Sequence, residues 1–255
     1  SKTGSNRVQV DAKKFVIHQM WSGEMGEDSI INYVPFLRRQ ALLGIAHYSD
    51  SLVVNGDTTN AATGNINLDD ADPADTKHYL AFDGLRHAGL VDNTGNSKDL
   101  AGAITWAAMV DQYGRMYDST YFHDWGHPNN ISDVVHLTDI LTADKVGQLD
   151  EVVTWRQYQG RPLLPGQVAE VLGHAVIATP VVGRTEADGK ISTTAGNNTK
   201  GQMVAFNRNG IVPGWRRRVQ VEVERLPATD QFRIVYSMRL GLGRFSPTGA
   251  ASGIE

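Results

Sequence analysis

The sequence predicts an α+β fold, in which a long helix and a late pair of strands enclose a middle region of mixed helices and strands. From Glu27 to Val54, apolar residues recur at steps of three and four, the spacing of one face of a helix. Near the C-terminus, Val219, Val221 and Val223 alternate with polar residues, which is typical of a strand with one buried face. Between these segments, shorter helical and strand patterns follow one another.

The composition is that of a globular chain, and it excludes several classes of function. The 255 residues are 41% hydrophobic and 20% charged, which favours a packed fold over disorder. A formal net charge of −4 argues against a surface built throughout for nucleic acid. The lack of cysteine excludes a disulfide framework, a thiolate zinc site and a cysteine nucleophile, and it fits assembly in a reducing cytoplasm. No stretch approaches the roughly 20 apolar residues of a membrane span, and the N-terminus lacks a signal-peptide core, so we expect a soluble, non-secreted protein without a membrane partner.

The first elements are an extended segment and the long helix. Apolar and polar residues alternate from 8 to 12, which predicts a strand that continues into the apolar run 15–17. Pro35 interrupts the helical pattern of 27–54. The helix therefore either kinks at Pro35 or begins anew with this proline in its first turn.

A loop with the sequence SLVVNGDTTNAATG (51–64) follows the helix. Asn55 and Gly56 both tolerate the left-handed conformation that ends helices, so with Asp57 they predict a turn. The loop lacks the Gly-Lys-Ser/Thr ending of a phosphate-binding loop, and it follows a helix where such a loop follows a strand. We therefore expect a hinge between two parts of the fold, in which threonines and asparagines form turns rather than bind phosphate.

The middle region predicts two helices, several strands and one polar loop. Asp72 as N-cap and Pro73 in the first turn predict a helix to about residue 90, and Ser97 predicts another that ends at Gly114. Further along the chain we expect a strand at 134–137, a helix capped by Thr138, a strand pair or one bent strand in VLGHAVIATPVV (171–182), and a flexible loop at 183–202. The alternating strand at 219–223 should pair antiparallel with the next one across a turn at PATD (227–230).

The segment FHDWGH contains the candidate metal ligands His123, Asp124 and His127, because imidazole and carboxylate suit zinc or iron. Gly126 and Pro128 make the segment a loop rather than the helix that places two histidines on one face. A surface loop is the preferred interpretation, and a metal-dependent hydrolase is the alternative from a different class. We find neither a Gly-x-Ser-x-Gly elbow nor a Ser-His-Asp arrangement, so we expect no catalytic residue and no cofactor.

A basic run of Arg216, Arg217 and Arg218 follows Trp215. Arginine pairs in a fork geometry with carboxylates and with phosphates, so the run is a candidate contact with a neighbouring subunit or with packaged DNA. A solvated strand start is an equally simple interpretation, because many exposed ion pairs contribute only about 0–1 kcal/mol. Contact with DNA is the weakest of the three interpretations.

Acidic residues precede the long helix, among them Glu24 and Asp28. Their simplest role is to interact with the positive end of the helix dipole. A contact with a basic patch on a neighbouring subunit is the alternative, and Arg7 is a further candidate for such contacts.

Three segments, taken in order, resemble the major capsid protein of tailed bacteriophages, which has the Hong Kong 97 (HK97) type of shell fold. They are GEMGEDSIINYVPFLRRQALLGIAHYSDSLVVNGD (23–57), EVLGHAVIATPVV (170–182) and VEVERLPATDQFRIVYSMRLGLGR (221–244). The resemblance implies that Asn55, Gly56 and Asp57 form the turn that ends the spine helix of this family. It implies four regions: 1–18 as the returning part of the extended E-loop, 19–64 as the peripheral P-domain with the spine helix, 65–212 as the axial A-domain, and 213–255 as the P-domain strands with the C-terminal tail.

The function implied by the resemblance is structural rather than enzymatic. Copies of the chain would assemble into the pentamers and hexamers of an icosahedral head around double-stranded DNA, with scaffolding, portal and decoration proteins as candidate further partners. The expected location is the virion capsid, after assembly in the host cytoplasm. An encapsulin-like cellular compartment is the alternative within the same fold. Because head maturation in this family bends the spine helix, Pro35 and Gly44 are the candidate bending points.

Overall fold

The computed structural model describes residues 10–28, 33–92, 94–116, 133–153, 166–171, 173–244 and 251–254. The helices of this part of the chain include α1 (Gly23–Asp28), α2 (Tyr33–Asn55), α3 (Leu85–His87), α4 (Trp106–Met116) and α5 (Ile140–Gly147), and residues 150–153 are also helical. Its strands are β1 (Lys13–Ser22), β2 (Ser97–Lys98), β3 (Val134–Thr138), β4 (Gln167–Val171), β5 (His174–Ala178), β6 (Met203–Asn207), β7 (Ile211–Leu226), β8 (Gln231–Arg244) and β9 (Ala251–Ile254). The strands form a three-stranded sheet of order β1-β8-β7 and a six-stranded sheet of order β2-β9-β6-β3-β5-β4. Within the described residues, no helix is both long and apolar enough to cross a membrane.

Helix α2 packs on one face of the three-stranded sheet, and together they form the first core. Leu37, Ala41 and Ile45 recur at helical spacing and are buried. Their core partners from the sheet are Trp21 of β1 and Ile234, Tyr236 and Met238 of β8. Full burial of one aliphatic or aromatic side chain of this size stabilises a fold by about 1.5–3 kcal/mol. This core therefore accounts for the helical spacing in the sequence.

Pro35 is the third residue of the described helix α2, Tyr33–Asn55. A proline is tolerated in the first turn of a helix, and it kinks a helix that continues through it. Residues 29–32 lie outside the described part of the chain, so both interpretations of Pro35 stay predictions. The acidic residues Glu24 and Asp28 belong to the described helix α1, in which Glu24 lies in the first turn.

Strands β7 and β8 form the predicted antiparallel hairpin, and their last paired residues are Leu226 and Gln231. Asp230 in the turn has a φ of 46°, a conformation that aspartate tolerates better than most residues. The register shifts on both sides of Arg217. The arginine run therefore lies at irregularities inside β7, and the expectation that it forms a strand start is wrong.

The six-stranded sheet mixes parallel and antiparallel pairs. β3 is parallel to β5 and antiparallel to β6. VLGHAVIATPVV (171–182) contains one whole strand, β5, which pairs antiparallel with β4, and only Val171 of β4 lies in this stretch. α4, α5 and the sheet share a second core, which contains Met109, Val146, Val152, Ala169, Val171, Val176 and Met203. The C-terminal strand β9 pairs with β6 and with β2 in this sheet. In the described part of the chain, residues 251–254, which the sequence analysis assigned to the C-terminal tail, thus belong to the six-stranded sheet rather than to the sheet of the long strands.

Three other predictions of the middle region differ from the structure. The helix expected from Pro73 to about residue 90 is replaced by a 3₁₀ turn (His78–Ala81), the short α3 and a π turn (Ala88–Asp92). The next helix begins at Trp106 instead of after Ser97. The cap of α5 is Asp139, whose carboxylate accepts from the amides of Leu141 and Thr142, because the hydroxyl of Thr138 donates to the carbonyl of Gln202.

Candidate functional site: the helix junction and the exposed surfaces

The end of α2 meets the segment before α3 in a backbone contact between two glycines. A Cβ atom added to Gly56 would lie 2.1 Å from the carbonyl oxygen of Phe82, and one added to Gly84 would lie 2.7 Å from the nitrogen of Gly56. The amide of Gly84 donates to the carbonyl of Gly56 at 2.8 Å. Neither Asn55 nor Gly56 has a positive φ, so the expectation of a left-handed turn at these two residues is wrong. The glycine is required here by close approach of the backbone.

Asn55 is buried and connects the end of α2 to two other parts of the chain. Its Nδ2 donates to the carbonyl of Val181 at 2.8 Å, and its Oδ1 accepts from the guanidinium of Arg86 at 3.0 Å. Arg86 is itself buried and donates to the carbonyl of Gly189 at 2.6 Å. A buried cation is costly unless it is hydrogen-bonded. These contacts therefore fix α3 and the polar loop 183–202 relative to the end of α2.

Asp57 is completely buried and organises the loop that follows it. Its Oδ1 accepts from the amide of Thr59 at 2.8 Å, and its Oδ2 accepts from the amide of Ile66 at 2.7 Å. The amide of Asp57 donates to the carbonyl of Tyr79. Burial, followed by the negative charge of Asp57, raises the pKa of the Tyr79 hydroxyl.

Asp83 and His87 approach Asp57 from the segment that contains α3. The Oδ1 of Asp83 accepts from both the amide and the hydroxyl of Thr58, at 2.9 and 2.8 Å. The Nε2 of His87 lies 3.6 Å from the Oδ1 of Asp57 and 3.8 Å from the Oδ1 of Asp83. The backbone amides of the loop after α2 thus donate to the carboxylates of Asp57 and Asp83. These negative charges would repel a phosphate group. The chemistry of this arrangement favours a cation.

Several large apolar side chains are exposed on α2 and on the three-stranded sheet. Phe36 and Leu43, two helical turns apart and opposite the buried face of α2, are 50% and 61% exposed. On the edge strand β7, Val221 and Val223 are 41% and 65% exposed. Apolar surface of this kind, when contiguous, marks sites of association in soluble proteins.

The arginines of the basic run have different environments. Arg216 and Arg218 are exposed, whereas Arg217 donates to the hydroxyl of Ser237 on β8 at 3.0 Å. Glu24 on α1 is also exposed. Asp28 is the last residue of α1, and its side chain lies outside the described set, as do Arg7 and the candidate ligands His123, Asp124 and His127.

Arg86, Asp83 and His87 are the site residues that the sequence analysis missed. No motif connects them to Asp57, because Asp83 and His87 come from a segment for which the sequence predicts a regular helix. The available signal was their spacing, since residues at i and i+4 face the same side of a helical turn.

Comparison with known proteins reveals similarity only in three dimensions. No family model matches the chain, and no curated protein matches it. The capsid of Ralstonia phage GP4 is similar with a TM-score of 0.59 at 11% identity, over 100% of this chain and 79% of that chain. The mature capsid of bacteriophage PhiM1 is similar with a TM-score of 0.55 at 8% identity, over 100% and 76%. The SrpI encapsulin complex of Synechococcus elongatus PCC 7942 is similar with a TM-score of 0.58 at 11% identity, over 96% and 73%.

Proposed function

From the HK97-like capsid fold that this chain adopts, we propose that it is a shell subunit that assembles with copies of itself into a closed container. The observation that carries the proposal is the extent of the similarity, since all of this chain is covered by the similarity to a phage capsid. In a shell, affinity comes from many modest contacts multiplied by symmetry. The protein is accordingly structural and not an enzyme.

The preferred container is an icosahedral phage head of pentamers and hexamers around double-stranded DNA, assembled in the host cytoplasm and located in the virion. DNA would be held without sequence specificity, and scaffolding, portal and decoration proteins are candidate partners. The regions proposed for the subunit are the E-loop part (1–18), the P-domain (19–64 and the long strands from 213) and the A-domain (65–212). An encapsulin-like compartment is the second candidate, supported by the similarity to the SrpI encapsulin.

The exposed apolar side chains support self-association. Phe36 and Leu43 project from the face of α2 that is turned away from the sheet, and each is at least half exposed. Full burial of one such side chain contributes about 1.5–3 kcal/mol. A contact of a few such side chains per subunit is weak alone, but it is strengthened when each subunit contacts several neighbours.

Charged residues at the surface are the proposed partners in polar contacts between subunits. The candidates are Arg7, Glu24, Asp28, Arg216, Arg217 and Arg218. Arg217 is less available than the others because its guanidinium donates a hydrogen bond to Ser237. Exposed ion pairs contribute about 0–1 kcal/mol each. These residues would therefore determine how neighbouring subunits are aligned more than how tightly they bind.

Bending of α2 during head maturation is a further part of the proposal, with Pro35 and Gly44 as the bending points, and Asn55-Gly56-Asp57 is the proposed hinge between two parts of the subunit. Gly44 supports it, because a Cβ atom there would meet nothing within 4 Å, so packing does not explain a glycine. Pro35 removes one backbone donor near the start of the helix. Hydrogen exchange on precursor and expanded shells tests the idea, and a helix uniformly protected and straight in both states would refute it.

The experiment that tests the assembly surface compares two changes at one position. Leu43→Asp places a charge on the exposed face of α2, whereas Leu43→Met keeps its apolar area. We expect the first variant to remain folded by circular dichroism but to sediment as a small species, and the second to assemble like the natural chain. Assembly of Leu43→Asp into particles of full size would exclude this face from the contact.

A further inference from the structure

Asp57, Asp83 and His87 form a three-residue cluster in which each side chain offers one ligand atom within 4.8 Å of the others. The Nε2 of His87 is 3.6 and 3.8 Å from the nearest oxygens of the two carboxylates, which is too long for hydrogen bonds. Bonds of about 2.0–2.2 Å from a tetrahedral zinc ion to nitrogen and oxygen place two ligand atoms roughly 3.4 Å apart. The two separations from Nε2 need to close by only a few tenths of an ångström to reach this spacing.

The burial of His87 makes the lack of a hydrogen bond significant. Its side chain is only 8% exposed, and its Nδ1 is buried without a hydrogen-bond partner. A buried polar group without a partner costs free energy, so something is expected to compensate it. The other ring nitrogen, Nε2, lies within 3.6 and 3.8 Å of the two carboxylate oxygens, where one metal ion could bind all three side chains.

Neighbouring groups hold the three side chains in place. Both oxygens of Asp57 accept backbone amides, and Asp83 accepts twice from Thr58. The Oδ1 of Asp92 lies 3.4 Å from the Nδ1 of His87. A histidine that binds a metal through one nitrogen commonly donates from the other to a carboxylate, and a small rotation of the ring would make this bond. The arrangement therefore has the supporting contacts of a metal site.

We propose that Asp57, Asp83 and His87 bind one divalent transition-metal ion at the junction between α2 and α3. One imidazole and two carboxylates suit Zn²⁺ or Mn²⁺ better than the all-oxygen sites of Ca²⁺ and Mg²⁺. The side chain of Asp83 is 30% exposed, which provides entry for the ion and room for water in the remaining coordination positions. The ion would link the end of α2 to α3 and stabilise their junction. Its role would be structural and not catalytic. The inference depends only on this geometry and does not require that the chain forms a shell.

The test measures metal binding to the full chain in whatever assembly state it has. After chelation and dialysis, Zn²⁺ and then Mn²⁺ are titrated by calorimetry, and bound metal is counted by mass spectrometry. The variants are His87→Gln and Asp83→Asn, of which the second keeps an oxygen for Thr58. The matched controls, His47→Gln and Asp50→Asn, change exposed residues of the same types on α2.

The expected result is one ion per chain in the natural protein and in both controls, with affinity at least tenfold lower in each test variant. Metal should raise the unfolding temperature of the natural chain but not that of Asp83→Asn. If His87→Gln does not fold, Asp83→Asn and the natural chain still decide the question. Less than one ion per ten chains in the natural protein at micromolar free metal would overturn the site. Equal loss of metal in a control would do the same.

Discussion

Replacing Gly56 by alanine should destabilise the junction behind α2 more than its small added volume suggests. The new Cβ would lie 2.1 Å from the carbonyl oxygen of Phe82, 2.7 Å from that of Leu52 and 3.1 Å from the nitrogen of Gly84. All three atoms belong to the backbone, so no side chain can rotate away. Opening the shortest contact to a tolerable 3.0 Å requires a backbone shift of about 0.9 Å, and overpacking of this kind costs about 1–3 kcal/mol.

The same shift strains the hydrogen bond from the amide of Gly84 to Gly56, which adds about 0.5–1.5 kcal/mol. We therefore expect Gly56→Ala to lower the free energy of unfolding by roughly 2–4 kcal/mol. Urea unfolding of unassembled subunit, followed by circular dichroism, measures the change. Gly44→Ala is the matched control, because its Cβ meets nothing within 4 Å and should raise stability by about 0.5–1 kcal/mol. A Gly56→Ala variant as stable as the Gly44→Ala control would refute the argument from close approach.

Three further predictions concern a buried histidine, a helix cap and the basic run. Burial, and then the neighbouring His174, lower the pKa of His136 to about 3 from 6.5, so stability should fall by up to about 1.4 kcal/mol per pH unit as the pH drops from 6.5 towards 3. Urea unfolding at several pH values measures how the free energy of unfolding changes with pH. In His136→Gln, unfolding should take up about one proton fewer between about pH 3 and 6.5, so this dependence should be weaker. The same dependence in the variant and in the natural chain would contradict the prediction. Asp139→Ala removes the acceptor of three amides and should cost about 1–3 kcal/mol in the same assay, with a loss below 0.5 kcal/mol as the contrary result. Arg216→Glu should impair assembly without changing subunit unfolding, because this arginine is exposed, and normal particles would remove it from the contacts.

Elements with a repetitive apolar pattern were predictable from the sequence. The spacing of Leu37, Ala41 and Ile45 predicted α2 because these residues share one core. The alternation of Val219 to Val223 predicted β7 and its hairpin because the period of a strand is fixed by its geometry. The expectation that these valines form a buried face is wrong for Val221 and Val223, which are exposed on β7.

Elements that depend on distant contacts were not predictable. Asp72 and Pro73 are good helix-start signals, but the following segment is broken where Gly84 contacts Gly56 and where Asp83 accepts from Thr58. The N-cap of α5 is Asp139 and not the predicted Thr138, because the hydroxyl of Thr138 donates to the carbonyl of Gln202. The cluster around His87 likewise combines segments far apart in the chain. His123, Asp124 and His127 lie outside the described residues, so the preferred surface loop and the alternative metal site both stay untested.

Negative-stain microscopy of the purified chain, with sedimentation velocity on the same sample, tests the central claim most directly. We predict closed shells, or rings of five and six subunits, together with a fast-sedimenting boundary. A homogeneous monomer at all accessible concentrations, with circular dichroism of a folded protein, would contradict the assignment as a shell subunit.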